Sequence, residues 1–164
     1  MKDTQKQVII IAAMSKNRVI GLGDGMPWDV PEEYKQYREF VRGHAIIMGR
    51  RTFEIFGSEL PATTTPVVVS RSADLDQVRV VGSFDEAIQH ACSLNEKVFV
   101  AGGTKIYEQG LDVADEMYLS EIKGDFTGDT WFPEFDTKTW KIAEESDHPK
   151  FVFRRYVRAT DGGS

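Results

Sequence analysis

Glu33 is the residue around which a chemistry could be assembled. It closes the segment Met26-Pro27-Trp28-Asp29-Val30-Pro31-Glu32-Glu33, where a glycine-rich loop hardens into a helix. The loop before it, residues 21–25, carries three glycines, so its backbone can visit conformations closed to other residues. Pro31 presets a helical dihedral and suits a first-turn position. Glu33 therefore falls in that turn, after Trp28 and ahead of Tyr34, Tyr37 and Phe40. A carboxylate held among aromatics could handle a proton or grip a ligand, and burial would raise its pKa by penalising the charged form. An acid in a first turn also complements the helix macrodipole, and on these residues alone that plainer reading carries more weight.

Anion-binding chemistry has three candidate positions. Residues 45–48 run into Gly49-Arg50-Arg51-Thr52, and residues 97–101 run into Gly102-Gly103-Thr104-Lys105. In each, glycine lets a ligand approach the backbone, helix N–H groups point outward, and a cation stands at the helix start. Val69-Ser70-Arg71 adds a hydroxyl and a guanidinium at the end of another strand. Singly such junctions are commonplace. Together they could hold a pyrophosphate and a further phosphate, as a phosphorylated dinucleotide requires. The GxGxxG signature of the Rossmann motif is absent. His44, His90 and His148 are scattered without ligand spacing, so no metal is expected. Gly57-Ser58-Glu59 does not fit a nucleophile elbow.

The elements that must position these groups follow from apolar periodicity. Residues 8–14 form a continuous apolar run suited to a strand buried on both faces. A helix over 31–42 follows, with Glu33 and Tyr37 on one face and Gly43 at its C-terminal cap. Short strands are expected over 45–48, 66–70, 78–81, 97–101 and 116–122. Helices are expected from Gly49 to near Gly57, over 83–94 with Ser83 and Glu86 at capping-box spacing, and over 104–109. Residues 139–145 and 151–158 read as a closing antiparallel pair. This order gives an α/β sandwich around a mostly parallel sheet with an antiparallel C-terminal edge, and ligands at the carboxyl ends of strands.

The chain of 164 residues suits one domain, expected over 1–160 with 161–164 as a loose tail. Hydrophobic content of 41% and charged content of 28% are those of a soluble globular protein. A net charge of −6 and a pI near 5.1 argue against nucleic acid or an anionic membrane as main partner. Cys92, the only cysteine, excludes an intrachain disulfide and is expected as a small buried residue. The apolar run near the N-terminus is too short to span a bilayer, so a cytoplasmic location is the default.

Six blocks carry a family resemblance: IIAAMSKNRVIG (10–21), MPW (26–28), IIMGRRTFE (46–54), VVVSR (67–71), VAGGTKIYE (100–108) and GDTWFP (128–133). In order, spacing and content the chain resembles a dihydrofolate reductase over residues 8–157. The resemblance implies an eight-stranded, mostly parallel sheet flanked by four helices. It also implies hydride transfer from NADPH to dihydrofolate, giving tetrahydrofolate, by a monomer. Position by position, it makes Glu33 the acid that grips the pteridine, with Ser120 its hydroxyl partner. Met26 and Trp28 would belong to a loop that closes over the nicotinamide, held by Asp129. Ile11, Ala12, Ala13, Tyr34, Tyr37, Phe56, Leu60, Ala101 and Tyr107 would line the substrate side. Ala13, Ile20, Gly49, Arg50, Arg51, Thr52, Val69, Ser70, Arg71 and the 101–107 stretch (Ala101, Gly102, Gly103, Thr104, Lys105, Ile106, Tyr107) would bind the cofactor. Arg71 and Arg51 would face the 2′-phosphate. A cis peptide is implied between Gly102 and Gly103. Glu32 would be solvated, and Trp131, Phe132 and Phe135 would pack in the core or at its edge.

One departure stands out. The family usually carries Leu-Pro-Gly-Arg where this chain has Leu60-Pro61-Ala62-Thr63-Thr64-Thr65-Pro66, without the arginine that pairs with the substrate's glutamate. Losing such a pair costs on the order of 1.5–3 kcal/mol. Tyr37 also stands where the family has phenylalanine, and Arg38 is a candidate substitute cation. Two other readings compete: a reductase of a tailless pterin or a riboflavin-pathway pyrimidine, and a non-catalytic ligand-binding protein on the same scaffold.

Overall fold

The computed structural model describes residues 7–23, 25–71 and 78–159. The expected tail at 161–164 lies outside them. The apolar run near the N-terminus forms β1 (Gln7–Ser15). The chain continues as β2 (Val19–Gly21), α1 (Pro31–Val41), β3 (Ala45–Gly49), α2 (Arg50–Phe56) and a 3₁₀ turn (Gly57–Glu59). Next come β4 (Thr65–Val69), β5 (Arg79–Val81), α3 (Phe84–Leu94), β6 (Lys97–Val100) and α4 (Thr104–Gly110). It closes with β7 (Glu116–Ile122), β8 (Thr130–Trp131), β9 (Trp140–Asp147) and β10 (Phe151–Arg158).

Eight of the strands form one sheet in the order β5-β4-β3-β6-β1-β7-β10-β9. All neighbours from β5 to β7 pair in parallel, and β10 runs antiparallel to both β7 and β9. The sheet is central because its middle strands are apolar on both faces. In β1, Val8, Ile10, Ala12 and Met14 join one cluster with Ala87 and Ala91 of α3 and Ile106 of α4. Ile9 and Ile11 join another with Val41, Tyr37 and Phe40 of α1 and Phe53 of α2. Helices thus cover both faces, which is the arrangement a parallel sheet requires. Each fully buried Ile or Phe here contributes roughly 1.5–3 kcal/mol.

Local signals account for the helix ends. Pro31 opens α1 with Glu32 and Glu33 in its first turn, and Gly43 follows its end at φ +80°. Ser83 caps α3, its hydroxyl accepting from the Glu86 amide at 3.2 Å.

Four features depart from the sequence expectation. A two-stranded ribbon of β2 and β8, which is not among the expected strands, lies outside the main sheet. It closes because Gly128 has no side chain: a Cβ there would collide with Val19 and with the Gly21 carbonyl. Cys92 is half-buried against the core rather than fully inside it. Trp131 is 46% exposed on the ribbon, whereas Phe132 beside it is fully buried, so only the latter packs as core. The closing hairpin is longer than expected, with β9 reaching Asp147. Among the described residues, no helix is long and apolar enough to cross a membrane.

Candidate active site

The carboxyl ends of β1, β3, β4 and β6 open into one cleft of about 680 Å³. Its floor comes from β1, where Ile11, Ala12 and Ala13 line the cavity. Two strand-to-helix junctions meet above that floor, because the Gly49 amide donates to the Gly102 carbonyl at 2.8 Å. The Gly102–Gly103 peptide is cis, and Gly102 sits at φ +106°, where a Cβ would lie 3.2 Å from the Tyr107 ring. Glycine is therefore demanded here twice, by conformation and by space. Tyr107 holds the floor from the other side, its hydroxyl donating to the Ile11 carbonyl at 2.9 Å.

At one end of the cleft stand the cations. Arg50, Arg51 and Thr52 of α2, Ser70 and Arg71 after β4, and Thr104 and Lys105 of α4 all line it. Ile20, Gly49, Val69, Ala101, Gly103 and Ile106 complete the wall between them. Each of these junctions ends a parallel strand, which is where helix N–H groups and cations favour phosphate.

Glu33 stands at the other end, where Tyr34 and Tyr37 of α1 also line the cleft. Its residue is only 6% exposed, and burial pushes its carboxyl up to about 7, against a smaller lowering by the hydrogen bond from Ser120. Sheet register brings these groups together: Ser120 of β7 lies opposite Ala13 of β1, beneath the first turn of α1. The same burial holds the Tyr37 phenol well above its usual range, with Glu33 adding to the effect. A neutral acid near pH 7 can donate a proton or a hydrogen bond, and its conjugate base can accept one.

The loop beside Glu33 is tied across the cleft. Asp129 accepts from the Gly23 amide at 3.0 Å, and the Arg51 guanidinium donates to the Gly23 carbonyl at 3.2 Å. The Gly23 amide is the first cause holding the Asp129 carboxyl below its usual range. Met26, on the same loop, lines the cavity.

Of the residues expected at the site, Trp28, Ser120 and Leu60 do not line the cavity. Trp28 is buried in the apolar cluster under the loop, edge-on to Phe126 at 5.4 Å, and its indole N–H has no partner among the described residues. Ser120 is buried behind Glu33, and Leu60 packs against the sheet beneath α1. Phe56 lines the cavity as expected. Sequence reasoning missed Gly21, Gly23, Gly25, Ile55, Gly82, Gln109 and Thr130, which line it too. For Gly82 a signal existed: it follows β5, and the ends of parallel strands share the ligand crevice. Thr130 depended on the unforeseen ribbon. Glu32 is solvent-facing and pairs with His148 at 3.2 Å.

Comparison with known proteins matches this architecture. A sequence model of the family described as dihydrofolate reductase covers residues 7–158. The dihydrofolate reductase of Bacillus subtilis (strain 168) is 36% identical over 87% of this chain and 85% of its own. Dihydrofolate reductase HdrB of Haloferax volcanii is 34% identical over 95% of this chain and 86% of its own. A solved dihydrofolate reductase from Enterococcus faecalis, complexed with NADP(H) and RAB-propyl, superposes with a TM-score of 0.86 at 25% identity, covering 95% of this chain and 98% of that one. The chain therefore belongs to the dihydrofolate reductase family, whose members are NADPH-dependent oxidoreductases.

Proposed function

We propose that this chain reduces 7,8-dihydrofolate to 5,6,7,8-tetrahydrofolate, hydride going to C6 and a proton to N5. The observation that carries the reading is a buried acid, Glu33, at one end of a cleft whose other end is lined by cations. The cation end fits NADPH. Arg50, Arg51, Arg71 and Lys105, which line that end, would hold the pyrophosphate and 2′-phosphate, and the glycine junctions would let the backbone approach. Bound there, NADPH supplies the hydride.

The chain's own residues do the rest. Glu33 accepts hydrogen bonds from the amino-pyrimidine edge and so fixes the ring's orientation in the cleft. Ser120 donates to Glu33 and sets the carboxyl's direction. A carboxyl lifted to about 7 is poised to favour protonation at N5. Ala12 and Ala13, small and flat, leave room for two stacked rings over β1. Met26 and the tied loop cover the ring and exclude water. The protein acts as a single-domain monomer over residues 1–160, in the cytoplasm.

A second reading has one observation in its favour. Among the described residues, the four lining cations all belong to the three strand-end segments at 50–51, 71 and 105, and none lines the Glu33 end. A pterin without the anionic glutamate tail, or a related pyrimidine, would suit that end as well.

The test is loss of NADPH absorbance with dihydrofolate and, in parallel, with a tailless dihydropterin. Turnover of dihydrofolate is expected, with kcat/KM falling as pH rises through about 7, the value to which burial lifts Glu33. Turnover of the tailless compound alone would select the second reading. Cofactor binding with no turnover of any pterin would refute both in favour of a ligand-binding protein.

A further inference from the structure

The Glu33 end of the cleft is a gap between two walls, Tyr34 and Tyr37 of α1 and Ile55 and Phe56 of α2. One residue ties these walls together from outside. Glu59, on the 3₁₀ turn that follows α2, accepts a hydrogen bond from the Tyr34 hydroxyl through its carboxylate. Its carbonyl accepts from Arg38 Nε at 2.8 Å, so α1 grips the turn twice. Tyr34 stacks on Tyr37 with ring centroids 5.8 Å apart, which carries the tie inward to the wall of the cleft.

The tie closes onto Tyr34, itself a residue of the cleft wall. A ring held on Glu33 whose substituent left between α1 and α2 would carry that substituent past Tyr34. An anionic one would also come near the exposed Glu59 carboxylate held on the Tyr34 hydroxyl, and no cation lines that end of the cleft among the described residues. Arg38, one turn beyond Tyr34 on α1, has its Nε committed to the Glu59 carbonyl.

We propose that the Tyr34–Glu59 bridge is a selectivity gate on the pterin end of the cleft, which weakens the hold on substrates with an anionic tail relative to tailless ones. The inference rests on the pterin reading of the site. Glu59 acts by its charge and by the hydrogen bond. It touches no reacting atom and is a specificity determinant only. Burial together with Glu59 raises the Tyr34 phenol well above its ordinary range, so the bridge keeps its proton on tyrosine throughout the working pH range.

Two readouts separate the gate from the reaction. Binding of dihydrofolate and of a tailless dihydropterin is followed by quenching of intrinsic tryptophan fluorescence, and turnover is followed by NADPH absorbance. In Glu59→Gln, which keeps an acceptor for Tyr34 but removes the charge, affinity for the tailed compound should rise about three- to tenfold relative to the tailless one. Tyr34→Phe, which breaks the bridge and leaves the ring in place, should move the ratio in the same direction. Added salt should raise the wild-type ratio toward that of Glu59→Gln, because the charge is exposed and screened.

A binding ratio unmoved in both variants overturns the gate, whether or not the enzyme turns over. A fall in tailed-substrate affinity in Arg38→Ala, with no effect of Glu59→Gln, also overturns it and makes Arg38 a tail receptor instead. Failure of turnover with binding ratios that shift as described would sink the reaction assignment and leave the gate standing.

Discussion

Replacing Glu33 by glutamine should make the protein more stable while it disables the chemistry. The carboxyl is lifted from 4.5 to about 7 on folding, with burial as the main cause. Between those two values the folded chain holds a proton that the unfolded chain has released. Stability therefore falls as pH rises across that window and stays low above it. Each pH unit of that window is worth about 1.4 kcal/mol, so the wild type loses about 3 kcal/mol between acid and neutral pH. Glu33→Gln has nothing to titrate, keeps the side-chain shape, and still offers Ser120 an acceptor. Above pH 7 it should exceed the wild type by up to about 3 kcal/mol, or roughly 6–12 °C in Tm for a chain of this size. Below pH 4.5 the two should melt together. Urea or thermal unfolding of both proteins at a series of pH values measures this directly. A difference independent of pH, or a wild type more stable than the variant above pH 7, would refute the account of Glu33 as a charge held against its solvation. Turnover by the variant at neutral pH should meanwhile drop about 10²–10⁴-fold, the usual contribution of a proton-transfer group.

Other expectations follow from the same geometry. Ser120→Ala removes the hydrogen bond that lowers the Glu33 pKa, so the midpoint of the pH–activity profile should move to higher pH. A midpoint that stays in place would mean the hydroxyl does not reach the carboxylate in solution. Arg51→Ala removes both a cation of the cleft and the tie to the Gly23 carbonyl, and should raise the KM for NADPH about 10- to 100-fold. An equal loss for NADH would place Arg51 away from the 2′-phosphate. Gly128→Ala forces a methyl into Val19 and the Gly21 carbonyl, and should cost about 1–3 kcal/mol in urea unfolding. A neutral result would show that the ribbon of β2 and β8 gives way easily.

The elements legible in the sequence were those with strong local signals. Residues 8–14 have no polar member, so a central strand was the natural reading, and Pro31 with its two acids marked the start of α1. The glycine-cation junctions at 49–52 and 102–105 could be seen for the same reason: strand, glycine and helix start adjoin in the chain. What stayed hidden depends on residues far apart. The ribbon pairs Val19 with Trp131, and only the fold brings strands of three and two residues together. Arg18 adopts φ 70°, a left-handed turn into β2 that its residue type gives no hint of. Glu59 lies 25 positions from Tyr34, so the bridge across the gap had no sequence pattern to announce it. Trp28 was visible as a residue of interest, but its burial under the loop follows from Phe126 and the end of β7, which only packing supplies.

The position of β1 has a consequence for how this chain must be made. It is the strand around which the sheet is built, yet its neighbours on both sides come late: Gln7 pairs with Lys97, and Ile9 pairs with Glu116. A ribosome adding roughly 5–20 residues per second needs about 5–20 s to deliver those partners once β1 has been made. Through that interval an apolar strand with two open edges has no partner on either side. Release of a chain cut short before Lys97 leaves β1 with no sheet to join, and such fragments should aggregate or be degraded rather than fold. The acid and the cations of the cleft share this dependence, since β1, β3, β4 and β6 carry its floor and walls. Ligand binding therefore begins late in synthesis, after β6 has entered between β1 and β3.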